Sequence, residues 1–224
     1  MNATADVFAR PITLIIALAI ATLLPFAFMT LTSFVKISTV LQIVRGAIGA
    51  QNVPSSTVIL AFAGALTILA MAPLGSRLSE RVTPLLAQAQ QADSAEWLLG
   101  VTAAAKEPIQ SFLRLNASER ERRRFYEIAR AARPRPERDR VQPDDLSVIV
   151  PAFVASELLA AFALGFAIYL PFLVLDMVVA NVLLALGMQM LNPTQVSLPF
   201  KLLLFVAIDG WGLLAQTLVT GYKF

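Results

Sequence analysis

Hydrophobic and polar positions divide the chain into three blocks: apolar, polar, apolar. Pro11 to Phe34 carries no charged residue and exceeds the roughly 20 residues a helix needs to cross a bilayer. Ala19-Ile20-Ala21 resembles a small-residue cleavage site. The segment before it holds one acid, Asp6, and one base, Arg10, rather than a positive leader, and the apolar run continues past the cut. An uncleaved helix is therefore expected, kinked at Pro25. Ile37, Val40, Leu41, Val44 and Ile48 then recur at threes and fours, the spacing of one helical face. A turn at 51–56 leads to a second spanning-length run, Thr57 to Leu74, with Pro73 and Gly75 expected to end it.

The polar block covers 76–147. Its pattern predicts helices over 79–95, over about 106–115 with Pro108 in the first turn, and through an arginine-rich stretch to Ala132. Ser118-Glu119-Arg120-Glu121 has capping-box form, and Arg133-Pro134-Arg135-Pro136 stops that helix. From Val148 the chain is apolar to Leu186. This is too long for one straight span, so a kink or break is expected at Pro171. After a polar break comes the last apolar run, Leu198 to Leu218. The expected fold is all-α, built of hydrophobic helical hairpins with kinked helices. A hairpin over 1–75 precedes a polar, mainly helical domain over 76–147. A second hairpin over 148–224 carries a Met-containing loop at 187–195.

Composition agrees with a membrane protein. The chain is 57% hydrophobic and 15% charged, with a mean hydropathy of +0.70, whereas soluble domains run near about 45–50% and about 25%. With no cysteine and no histidine, disulfides, thiolate metal sites and histidine acid–base catalysis are excluded. There is no phosphate-cradling loop, nucleophile elbow or metal-ligand cluster, so neither an enzyme nor a cofactor is expected. Arg122-Arg123-Arg124 is interleaved with Glu119, Glu121 and Glu127. The polar block nets only +2 from 13 basic and 11 acidic residues. That pattern reads as a solvated helix face rather than a nucleic-acid surface. Lys36, Arg45 and Lys201 near the short connections, against Arg10 and Lys223, tilt those connections inward and the polar block outward.

Of the nine charges in the apolar blocks, five form the candidate set: Lys36, Glu157, Asp176, Lys201 and Asp209. Each costs at least a few kcal/mol unless it faces a partner, a bundle interior or water. Ion pairing that fixes assembly is the first reading, and a proton or ion relay the alternative. Counted from the polar break, Asp176 and Asp209 lie deep while Lys201 lies near it. An ideal straight hairpin therefore does not pair Lys201 with Asp176, and the acids are expected to find partners elsewhere, Lys36 among them. Met188 and Met190 in the break are flexible and polarizable. Such side chains, arranged in a ring, close a pore and still yield to a passing chain.

Longer words of sequence carry a resemblance. Thr32-Ser33-Phe34-Val35-Lys36-Ile37-Ser38-Thr39-Val40-Leu41, and then Pro151-Ala152-Phe153-Val154-Ala155-Ser156-Glu157-Leu158, Leu170-Pro171-Phe172-Leu173-Val174, Asp176, Ser197-Leu198-Pro199-Phe200-Lys201 and Asp209-Gly210-Trp211, resemble the SctR/FliP family. The likeness covers nearly all of the chain outside 80–145. The family comprises inner-membrane export-apparatus proteins of type III secretion, and the chain looks more like the injectisome branch than the flagellar one. The resemblance implies five copies assembled with SctS/FliQ-like and SctT/FliR-like subunits into a helical cone around a pore for unfolded secreted proteins. It implies a multi-pass protein of the bacterial inner membrane whose helices are largely lifted from the bilayer toward the periplasm; with the outward tilt read from charge, the polar domain is expected on the periplasmic side. It also implies a pore gasket at Met188, Gln189, Met190 and Leu191, where Gln189 interrupts the family's longer methionine run.

Overall fold

The computed structural model describes residues 18–19, 21–50, 53–88 and 94–224. Asp6 and Arg10, residue 20 of the cleavage-like triplet, the start of the 51–56 turn and residues 89–93 of the first polar-block helix lie outside the described residues. Regular structure among the described residues is helical. In order come α1 (Ala21–Leu31), α2 (Phe34–Ile48), α3 (Ser56–Ala70), α4 (Ala72–Gln88), α5 (Ser94–Asn116), α6 (Glu119–Ala131), a 3-10 turn at Arg135–Arg140, α7 (Leu146–Ala185), α8 (Pro193–Ala207) and α9 (Gly210–Thr220).

The core is organised around α2, which packs against α7, α3 and α8. Ile37, Val40, Leu41, Val44 and Ile48, the face expected from spacing, are all buried. Gly49 ends the helix at φ 76° with its N–H bonded to the Arg45 carbonyl, a left-handed conformation glycine adopts without steric cost. Where α2 meets α7, Gly165 lets the backbones approach closely. A Cβ there would sit 2.6 Å from Cδ1 of Ile43 and 3.2 Å from its Cβ. Gly165→Leu should lower stability by about 1–3 kcal/mol, the usual cost of overpacking. It should therefore lower the thermal midpoint of the detergent-solubilised protein; an unchanged midpoint would mean that this contact is slack.

Three helix pairs bend sharply at short breaks. The turn between α1 and α2 is 70° and falls at Thr32–Ser33, while Pro25 lies inside α1. The hydroxyl of Thr32 bonds back to the Phe28 carbonyl and accepts from the Phe34 N–H, replacing ladder bonds with local side-chain ones. The α3–α4 bend is 59°. Pro73 and Gly75 belong to the first turn of α4 rather than ending a span, because a proline near a helix start removes an N–H that has no intrahelical partner anyway. The α8–α9 bend is 57° and turns on Asp209 at φ 51°.

Among the described residues only α7 is by itself long and apolar enough to cross a membrane; the bent pairs pass that test only when each is taken together. With 40 residues, α7 is about 60 Å long at 1.5 Å per residue, roughly twice the hydrocarbon thickness. It runs unbroken through Pro151 and Pro171, so of the kink or break expected at Pro171 the break does not occur. One proline removes a single ladder bond, and a long helix that extends beyond the hydrocarbon need not be cut to fit it.

In the polar block α4 packs on α5, and both α5 and α6 pack on α7. α5 starts at Ser94, well before the predicted start, so Pro108 sits in its interior. The α6 start follows the sequence pattern: the Ser118 hydroxyl accepts from the Glu121 N–H at 3.3 Å. The Ser118 N–H in turn donates to the Ser156 hydroxyl of α7 at 2.9 Å. Arg122 and Arg123 pair with Glu119, and Arg124 with Glu121. The arginine run is thus partnered by acids of its own helix.

Candidate functional site

The α7–α8 hairpin ends in a short tip held by a cap on each side. Gly187 at φ 73° follows α7. Its N–H bonds to the Leu184 carbonyl at 3.0 Å, and the Met188 N–H bonds to the Leu183 carbonyl at 2.9 Å. This crossed pair is a Schellman closure, which satisfies the last carbonyls of the helix. On the other side the Asn192 side chain accepts from the Thr194 N–H at 3.0 Å, and Pro193 opens α8, the order a helix start favours. Between the caps stand Met188, Gln189, Met190 and Leu191. All four are exposed, and Met190 is 99% exposed.

Below the tip the hairpin is crossed by an ion pair. Lys201 Nζ of α8 lies 2.7 Å from Asp176 Oδ2 of α7, and the Ser197 hydroxyl donates to the other carboxylate oxygen. Lys201 also donates to the Ala47 carbonyl in the last turn of α2 at 3.2 Å. Its side chain is 2% exposed. A cation at a helix C-terminus meets the partial negative charge of that end. This corrects the expectation that Lys201 is too near the break for Asp176. The break is shorter than its polar composition suggests, because Pro193 to Gln195 already belong to α8. Asp176 lies nine residues before the end of α7 and Lys201 eight residues into α8, about 14 and 12 Å along their axes, so the two groups sit level.

A second cluster lies at the other end of α2. Lys36 Nζ is 3.9 Å from Glu157 Oε1 and 4.6 Å from the centre of the Tyr222 ring. The Tyr222 hydroxyl donates to the other Glu157 oxygen. The Glu157 side chain is 5% exposed. Burial, and then the Glu157 carboxylate beside it, push the Tyr222 hydroxyl well above the usual phenol range, so it stays a donor. The tail that carries Tyr222 is fixed on α5: Asn116 exchanges two hydrogen bonds with the Lys223 backbone, and Phe224 stacks on Phe112 at 5.4 Å. Lys36 was expected as a partner for Asp176 or Asp209; it meets Glu157 instead, and Asp176 takes Lys201. Tyr222 and Ser197 were not singled out, and the signal for both is one polar hydroxyl at the edge of an apolar run.

Asp209 departs from the expected set. It is exposed and stands at the α8–α9 bend in the left-handed region, which Asp tolerates better than most residues. Beside it an aromatic row runs from Phe172 through Phe205 and Trp211 to Phe62, with centroids 6.3, 5.0 and 6.0 Å apart. Among the described residues no three Asp or Glu side chains form a group able to hold a metal ion.

The chain matches the FliP family over residues 17–218, most of its length. It belongs to the FliP family. Among its relatives is the "Hypersensitivity response secretion protein HrcR" of Ralstonia nicotianae, 40% identical over 210 residues, with 94% of this chain and 96% of the relative covered. The "Yop proteins translocation protein R" of Yersinia pestis is 39% identical over 211 residues, with 94% and 96% covered. The "Virulence protein YscR" of Salmonella typhimurium is 36% identical over 213 residues, with 95% and 97% covered. The alignments span the polar block as well as both apolar blocks.

Proposed function

We propose that this chain is a pore-forming subunit of a type III secretion export gate, conducting unfolded proteins across the bacterial inner membrane. In this reading several copies, five by family resemblance, assemble with SctS/FliQ-like and SctT/FliR-like subunits, and the polar block faces the periplasm. Family membership and the secretion and translocation names of its relatives support the setting. The observation that carries the mechanism is the tip: two methionines and a leucine displayed at the end of a capped hairpin. An apolar tip so exposed needs a partner, and copies meeting around an axis supply one. The row Phe162, Phe166, Leu170, Leu173 and Met177 along α7 is also exposed, as a helix facing neighbours or lipid requires.

Asp176 and Glu157 are each already engaged by a cation and a hydroxyl of this same chain. That favours structural work for them over an ion relay, which needs a continuous polar path. Met188→Ala with Met190→Ala should raise small-solute leakage through the assembled complex several-fold, since truncation opens a methionine-filled gap, while the mass of the complex stays unchanged. Leakage that stays at the wild-type level in a complex of normal mass would refute the seal.

A further inference from the structure

The outer part of the α7–α8 hairpin has little of its own chain to lean on. On α7 Met177, Val178, Val182, Leu184 and Leu186 are exposed, and on α8 Phe200 and Leu203. This outer part meets the rest of the molecule through a polar contact at Lys201. There Lys201 bonds at once to Asp176 across the hairpin and to the Ala47 carbonyl of α2. Gly49, at the α2 C-cap, lies beside it: a Cβ there would be at ordinary contact distance, 3.9 Å from Lys201 Nζ and 3.7 Å from Cγ2 of Thr194.

We infer that Asp176, Ser197 and Lys201 are positioning residues for the seal: a clamp that fixes where the Met188–Leu191 tip stands relative to α2. The inference rests on the proposed gasket and adds what sets its place. Three features support a clamp rather than an incidental pair. Lys201 is nearly wholly buried while the Asp176 side chain is 26% exposed, so the lysine end of the pair is shielded from water. Both carboxylate oxygens of Asp176 are used, one by Ser197 and one by Lys201, which fixes the carboxylate's rotation as well as its distance. The ammonium has a second anchor, outside the hairpin, the Ala47 carbonyl, so the pair sets an angle between elements and not only the spacing of two helices. The clamp lies about 12–14 Å below the tip along either helix, so a small rotation there becomes a displacement of several ångströms at Met190.

The chain has no cysteine, so spin labels report only where they are placed. Labels at Gln189→Cys on the tip and Gln42→Cys on the exposed side of α2 give a tip-to-α2 distance by pulsed electron resonance. The full chain is used, diluted with unlabelled protein so that only distances within one chain are read. The original clamp should give one narrow distribution. Lys201→Gln or Asp176→Asn should broaden or shift it by roughly twofold in width, since one charge of a part-buried pair is lost in each. Lys201→Arg, which keeps the cation, should stay close to the original. Ser197→Ala, which leaves the ion pair in place, should fall between and serves where the charge variants do not fold. Unchanged distributions in all the variants that fold would overturn the inference. If the tip broadens while leakage through the assembled complex stays low, the clamp stands and the seal reading falls; if both change, both stand.

Discussion

Glu157→Ala is expected to cost about 3 kcal/mol of stability, in the range for removing one partner of a buried charge pair. The carboxylate does two jobs at once: it faces the Lys36 ammonium and accepts from the Tyr222 hydroxyl. Without it Lys36 keeps the face of the Tyr222 ring, and the buried hydroxyl loses its carboxylate acceptor. The loss also reaches the polar block, because the Tyr222-Lys223-Phe224 tail is held on α5 at Asn116 and Phe112. Glu157→Gln keeps an acceptor for Tyr222 and loses only the charge, so it should cost clearly less, by about 1–2 kcal/mol. Thermal unfolding in detergent separates the two. Equal losses for Ala and Gln would show that the ion pair alone matters and that the hydroxyl adds nothing.

Which parts of this arrangement are legible in sequence follows from the range of the interactions. The buried face of α2 is periodic over a dozen residues, so spacing alone identifies Ile37 through Ile48. The Ser118 cap is written in four adjacent residues. Lys36 and Glu157 stand out because a charge in an apolar run needs a partner. The Asp176–Lys201 pair depends instead on where α8 begins. The polar letters of Asn192 to Gln195 look like loop, but the first three of α8 are helix because Asn192 caps and Pro193 opens it. A shift of three residues moves a side chain about 4.5 Å along an axis, enough to turn an apparent mismatch into a level pair. Pro73 and Gly75 mislead in the same way, since the residues that end one helix also suit the start of the next. Asp209 shows the opposite failure: an acid inside an apolar run reads as buried, but the run holds a bend that only its backbone angle reveals.

That bend carries the other large expected effect. Gly210→Val should destabilise the protein by about 3 kcal/mol, at the upper end for overpacking a tight site. A Cβ on Gly210 would lie 2.3 to 2.6 Å from three atoms of the Phe205 ring. The ring has nowhere to go: Phe205 is buried, flanked by Phe172 and meeting Trp211 edge to face at 5.0 Å. Either the ring leaves the row or α9 swings away from α8. Gly212→Ala is the matched control. Its Cβ would meet the Asp209 carboxylate, 2.3 Å from Oδ2, but Asp209 is exposed and its side chain is free to turn. The control should therefore cost under about 1 kcal/mol. Phe205→Leu added to Gly210→Val should recover part of the loss, a coupling expected only of residues in contact. Thermal midpoints of the four proteins decide the matter. If Gly210→Val and Gly212→Ala melt alike, or if Phe205→Leu brings no recovery, the aromatic row is not what holds α9 at its angle to α8, and the source of the bend must be sought in the backbone of Asp209 alone.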